Sequence, residues 1–253
     1  MGKGYEMERD SGLERHRQMI LPVFLTDNRR LYFLSKRILD VAVSIIALII
    51  FSPVMALVAV LIHFDSPGPV IFSQKRVGSK RIKKDGQYYW EKTEFTFYKF
   101  RTMVDKADPS AHVTFIKALI NHDEEKLSAI QGSDNKVKKI VNDSRITRLG
   151  HFLRHSSLDE LPQFWNVLRG EMSVIGPRPA IPYEVEFYKP WYFRRFEAKP
   201  GITGYWQVVA RNSVDFDEMV KLDIQYVESQ SLWLDLKLMC MTPLVMLSRK
   251  GVA

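Results

Sequence analysis

Two adjacent carboxylates, Asp159 and Glu160, stand in the stretch SSLDELPQFW, residues 156 to 165, with arginines close by on either side. An ionised carboxylate can act as a nucleophile or a metal ligand and makes a poor general acid. It can equally be a helix cap, and Ser157 with Glu160 fits the S-x-x-E spacing of a capping box. That register would put Pro162 inside the first turn, where its missing N–H and its ring break the helix. A helix that starts at Pro162 and ends at Gly170 fits better, with Leu161, Phe164, Trp165 and Leu168 spaced to bury one side. Asp159 and Glu160 then precede the helix at the positive end of its dipole, worth about 0.3–1 kcal/mol to an exposed anion. With Arg154 nearby, Asp159 is expected to be ionised at neutral pH. Spacing alone leaves both the functional pair and the cap open.

The cations around the pair suggest anionic substrates. In GEMSVIGPRPAIP, Arg178 lies between two prolines, so a stiff extended loop presents its guanidinium, which suits bidentate phosphate binding. KPGITGYWQVVARN carries two Gly-containing turns and then Gln207 and Arg211. Lys99 and Arg101, two apart in EFTFYKFRTM, share one face of an expected strand. Arg145, Arg148 and Arg154 are threaded among Ile146, Leu149, Phe152 and Leu153, a helix with one apolar and one cationic side. Each alone reads as a solvated surface residue. Together they are cations in apolar surroundings, which are seldom left unpaired. His112 and His122 lack metal-ligand spacing.

These residues need elements to position them. VAVSIIALIIFSPVMALVAVLI, residues 41 to 62, is an uncharged run long enough to cross a bilayer. Pro53 interrupts it and frees the carbonyl of Ile49, which Ser52 can bond. Arg29, Arg30, Lys36 and Arg37 precede the run, and Lys75, Arg76, Lys80, Arg81, Lys83 and Lys84 follow it, so both ends favour the same side of a membrane. A helix-break-helix that dips in and returns is therefore expected over a spanning helix. VIFSQKRVG and EFTFYKFRTM read as the strands of a hairpin with an elongated tip. A polar helical stretch follows in AHVTFIKALINHDEEKL, then a loop at QGSDNKVKK. LWLDLKLMCMTPLVMLSRK near the C-terminus is expected to pack at the membrane interface.

The fold expectation is α+β: an N-terminal re-entrant membrane hairpin plus a mostly helical cytoplasmic domain with a small β-hairpin and interfacial amphipathic helices. The parts are a 1–35 arm, a 36–64 re-entrant helix and a 65–253 catalytic domain. With 37 Lys and Arg against 29 Asp and Glu in 253 residues, a net charge of +8, the expected partners are anionic. The lone Cys240 excludes an intramolecular disulfide, and the N-terminus carries no secretory h-region.

NDSRITRLGHFLRHSSLDELPQFWNVLRGEMSVIGPRP, with FSP, FYKFRTM, KPGITGYWQV and YVESQSLWLDLKLM in consistent order from Lys36 to Gly251, resembles the bacterial sugar transferases, monotopic phosphoglycosyl transferases of the inner membrane that face the cytoplasm. The resemblance implies transfer of a sugar-1-phosphate from a nucleotide sugar, a UDP-sugar, to polyprenyl (undecaprenyl) phosphate, initiating assembly of a surface glycan. It implies Asp159 as nucleophile, forming an aspartyl phosphosugar, and Glu160 as ligand of Mg²⁺. It also implies Lys99, Arg154 and Arg178 at phosphates, Gln207 and Arg211 near the nucleotide, and Ser52 and Pro53 at the re-entrant break. The bilayer and a second copy of the chain are further expected partners, and nucleic acid is not. A nucleic-acid-binding membrane protein and a non-catalytic membrane scaffold are the competing readings. The N-terminal arm, the hairpin tip and residues 105–139 depart from the smallest family members and receive no role.

Overall fold

The computed structural model describes residues 29–131, 143–210 and 214–247. Most of the N-terminal arm, most of the QGSDNKVKK loop and Arg211 lie outside them. In chain order the elements are α1 Arg30–Asp65, β1 Ile71–Lys84, β2 Gln87–Phe100, α2 Ser110–Ile120, α3 Glu124–Gln131, α4 Arg148–Ser156, α5 Gln163–Leu168, β3 Ser173–Ile175, α6 Pro182–Val185, β4 Gly201–Thr203, α7 Tyr205–Val209, α8 Phe216–Ser229 and α9 Leu232–Leu247. Mixed helix and strand agrees with the α+β expectation.

α1 differs from expectation in two respects. It begins inside the stretch assigned to the arm, and it is one 36-residue helix that continues through Pro53 where a break was expected. Ser52 Oγ donates to the Ile49 carbonyl at 2.8 Å, satisfying the group the proline orphans, so the ladder resumes. Among the described residues it is the one helix long and apolar enough to cross a membrane.

Both ends of α1 are tied to the rest of the fold. Near its start, Arg37 donates to the Val167 and Leu168 carbonyls at 2.6 and 2.8 Å, capping the end of α5. Asp40, buried, accepts from Ser173 Oγ and Val174 N, both at 2.9 Å. Lys36 and Tyr32 reach Asp235 of α9 at 3.1 and 3.0 Å. Near its end, Val58 and Ile62 are buried in a cluster with Phe100, Leu153 and Leu161. Between these anchors Ile45, Ile46, Ile49, Ile50 and Leu57 are exposed.

β1 and β2 pair from Ile71 with Phe100 to Lys84 with Gln87, closing on Asp85–Gly86, both at positive φ. The expected elongated tip is therefore ladder almost to its end: Asp-Gly supplies the left-handed pair that a two-residue hairpin turn needs. Phe95 and Phe97 of β2 pack on Val167, Met172, Val174, Ile175 and Leu238, and each such large apolar side chain contributes about 1.5–3 kcal/mol when buried. A second cluster joins α2 and α3 to Tyr192, Phe216, Val220 and Ile224. β3 and β4 pair in parallel, so part of KPGITGYWQ, expected as turns, is strand.

Candidate active site

The carboxylate pair lies between α4 and α5. Thr147 caps α4 by accepting from Gly150 N at 2.9 Å, and α4 ends where Ser157 turns left-handed at φ 55°. Leu158–Glu160 then form one 3-10 turn. The Ser157 side chain makes no cap bond, so the capping box does not form, and α5 begins at Gln163, immediately after Pro162. The buried side of α5 corrects the expected one: Gln163, Asn166 and Val167 face inward while Trp165 is 52% exposed. Asn166 is drawn in because its amide pairs with the β2 backbone, donating to the Thr96 carbonyl at 2.7 Å and accepting from Tyr98 N at 3.1 Å.

Asp159 is only 6% exposed. Burial pushes its carboxyl above the usual range, opposed by Lys99, Arg154 and Arg178. This reverses the direction expected from the helix dipole, which assumed an exposed carboxylate ahead of a longer helix. None of the three cations forms a direct ion pair with Asp159. Lys99 sits over the Phe72 ring at 5.4 Å, and burial pushes its ammonium down to about 8, with Asp159 pulling the other way. Glu160 also acts on Lys99, which places both carboxylates within its field.

Arg154 is positioned by close packing. A Cβ at Gly150 would come 2.0 Å from the Thr102 carbonyl oxygen, so only glycine lets α4 approach β2's continuation. Arg154 Nε then donates to Thr102 Oγ1 at 2.9 Å. Arg178 is presented by an immobilised loop. The carbonyls of Pro177, Arg178, Pro179 and Ala180 accept from Gly201 N, Arg195, Arg76 and Val77 N at 2.8, 3.3, 3.1 and 2.8 Å. Arg195 is itself buried against Asp223 at 2.5 Å and Tyr188 at 2.7 Å. The expectation of a stiff loop behind an exposed guanidinium matches this geometry.

Arg76 is a residue of the site that sequence reasoning passed over as flanking charge. It is buried, stacks on Phe97 at 5.1 Å, holds the Pro179 carbonyl, and is pushed down to about 10 by burial and then Arg178. Its place on the same face of β1 as Phe72, the ladder partner of Lys99, was the available signal. His112 also approaches: its Nδ1 lies 2.6 Å from Tyr183 Oη, and burial and then Arg178 push it down to about 4, leaving it neutral near pH 7.

Other predicted residues are placed differently. Arg101 is spent on the fold: its guanidinium donates to Pro69 O, Ser66 Oγ, Pro67 O and Ser66 O at 2.6–2.8 Å. Arg145 is clamped by Asp143 at 2.7 Å and by the Asp108 carbonyl, and Arg148 is exposed at the start of α4. Gln207 lies on α7 with its Oε1 buried and without a hydrogen-bond partner. Arg211 falls outside the described residues.

The arrangement is a buried carboxylate facing several cations beside an apolar helix, suited to attack on a phosphorus whose oxygens those cations hold. A family model described as bacterial sugar transferase matches residues 31–249. The chain is 40% identical over 221 residues to a galactosyl transferase, CpsE, of Streptococcus agalactiae, an alignment covering 87% of this chain and 44% of the relative. It is 39% identical over 218 residues to the exopolysaccharide production protein ExoY of Rhizobium meliloti, covering 85% of this chain and 87% of the relative. It is 38% identical over 236 residues to an undecaprenyl-phosphate galactose phosphotransferase of Salmonella typhimurium, covering 93% and 45%. The chain thus spans under half the length of the first and third of these relatives and most of the second.

Proposed function

Because the chain belongs to the bacterial sugar transferase family, we propose that it transfers a sugar-1-phosphate from a nucleotide sugar, a UDP-sugar, to polyprenyl phosphate, as the first step of a surface glycan. The carrying observation is Asp159, buried and acted on by Lys99, Arg154 and Arg178 while bound directly to none of them. An Asp159 oxygen attacks the sugar-bearing phosphorus, and the bond to the bridging oxygen breaks to release a nucleoside monophosphate. A phosphate oxygen of the lipid then attacks the same phosphorus, and the Asp159 carboxylate leaves. Arg178, Arg154 and Lys99 hold the non-bridging oxygens as charge builds on them. Burial favours this step because the carboxylate sheds little water before attacking.

Mg²⁺ is commonly held by one or two carboxylates with substrate phosphates completing its shell, and the turn Leu158–Glu160 carries two adjacent carboxylates. Glu160, beside Asp159, would hold it, and the ion when bound would offset charge on the diphosphate.

The membrane placement we propose is re-entrant, in the bacterial inner membrane, with the catalytic domain on the cytoplasmic side. Both ends of α1 contact the same domain, Arg37 at the end of α5 and Val58 with Leu158 and Leu161 ahead of it, and the charged flanks favour one side of the membrane. A bend around Pro53 would let the exposed stretch dip in and return. Exposed Phe152, Trp165, Trp233 and Leu244 give the domain further apolar groups for the interface.

Purified protein, Mg²⁺, polyprenyl phosphate and a panel of nucleotide sugars test the chemistry. Wild type releases nucleoside monophosphate with at least one sugar and forms a labelled protein adduct, and Asp159→Asn loses both. No release across the panel would leave a membrane scaffold as the better reading, and an adduct persisting in Asp159→Asn would move the nucleophile elsewhere.

A further inference from the structure

The outer half of the hairpin meets the start of α1 and residues 198–199 around a cavity of about 630 Å³. Arg81 and Trp90, paired across the ladder at its wall, lie about 30 Å along the strand from Lys99, far from the reacting carboxylates. Six lining residues are cations, Lys36, Arg37, Lys80, Arg81, Arg169 and Lys199, against three acids, Asp40, Glu94 and Glu171. Part of this charge is committed internally: Lys36 to Asp235, Arg37 to the α5 carbonyls, Arg169 to Glu171 at 3.0 Å, and Asp40 to Ser173 and Val174. Lys80, Arg81 and Lys199 have no anionic partner among the described residues.

Arg81 is held flat between the Phe33 and Tyr88 rings, at 4.2 and 3.8 Å. Its Nε and Nη2, whose N–H bonds run parallel along one edge of the guanidinium, are buried without a hydrogen-bond partner among the described residues. The same is true of Trp90 Nε1 and Gln230 Nε2, on two more lining residues. A buried donor with no acceptor costs about 1–3 kcal/mol, so four around one cavity call for a ligand rich in acceptors. Burial and then Arg37 push the Lys199 ammonium down, with Asp40 pulling the other way.

We propose that this cavity binds a phosphate-bearing anion at a site separate from Asp159, gripped side-on by Arg81, with Trp90, Gln230 and Lys199 supplying further donors. A carboxylate offers two oxygens, whereas a phosphate group offers at least as many acceptors as this donor set requires. The cavity sits where α1 begins, so its phosphate has two sources, an anionic phospholipid headgroup or a free phosphate ester. The inference does not depend on the chemistry at Asp159.

Two binding arms separate the sources. Full-length protein in detergent is titrated with inorganic phosphate by calorimetry, and its melting temperature is compared in phosphatidylcholine nanodiscs with and without phosphatidylglycerol. At least one arm responds in wild type, and Arg81→Gln and Lys199→Gln each weaken phosphate binding at least tenfold or erase the nanodisc shift, while Arg178→Gln keeps the response. A phosphate response assigns a free ester, and a nanodisc response alone assigns a headgroup. Should Arg81→Gln fail to fold, Lys199→Gln carries the comparison. Silence in both arms, a response undiminished in the cavity variants, or its loss in Arg178→Gln overturns the proposal.

Discussion

Lys99 and Arg101 are two residues apart, both cationic and both enclosed, yet only one has charge to spare for a ligand. Burial lowers Lys99 to about 8, so its ammonium is present below that pH and lost above it, and with it a hold on an anionic substrate. kcat/KM is therefore expected to fall as pH rises through about 8, and Lys99→Arg, which stays charged, moves that alkaline limb up by about a unit or more. An alkaline limb unmoved in Lys99→Arg would remove Lys99 from substrate binding. Some of the layout at this scale was legible: the doublet Asp159–Glu160 stands just ahead of α5, Pro162 directly precedes that helix, and Arg178 is presented from a loop between prolines. What was not legible is which arginines are already spent. Arg101, Arg145 and Arg76 look alike in sequence, and only their partners tell them apart: carbonyls of distant turns for Arg101 and Arg76, the neighbouring Asp143 carboxylate and the Asp108 carbonyl for Arg145. The direction of the Asp159 shift was misread for the same reason, since burial is a property of the assembled fold.

At the scale of elements, Arg101 is the staple of the turn that carries the chain from α1 into β1. Four hydrogen bonds to Ser66, Pro67 and Pro69 hold that turn, and Gly68 at φ 121° lets it pass Asp105. Arg101→Gln removes most of the hydrogen bonds that the buried guanidinium makes to this turn and is expected to destabilise the protein by roughly 3 kcal/mol. Lys99→Ala leaves the melting temperature within a few degrees of wild type while lowering turnover. Thermal melts of the two variants, read beside nucleoside monophosphate release, check this, and a cool-melting Lys99→Ala with a normal Arg101→Gln would reverse the assignment. The hairpin shows where reading by element ran short: alternation located both strands, but the charged, aromatic run toward Asp85–Gly86 resembled a loop. It is strand because Trp90 and Arg81 find partners in α1 that no local pattern announces.

At the scale of the molecule, the same-side placement of α1's ends is open to direct measurement. With Cys240 replaced by Ser, single cysteines at Leu31 and Lys84, both exposed, are expected to react with an impermeant maleimide only after the cells are permeabilised. Reaction of one site in intact spheroplasts and the other only after lysis would mean that α1 spans. The charge flanks and Ser52–Pro53 are what motivate this proposed topology, while the continuity of the helix was not legible, because Ser52 repairs the carbonyl that Pro53 frees. The clasp on α1 has a consequence in time as well as in space. Its partners in α5 and β3 lie 130 to 134 residues further along, and that at Asp235 lies 203 further. At about 5–20 residues per second, the apolar stretch waits roughly 5 to 21 seconds after its own synthesis before the first of those partners exists. On the membrane placement proposed above, lipid is the apolar phase at hand through that interval, so membrane docking is expected to precede closure of the domain, with the bilayer as the template on which the rest of the chain folds.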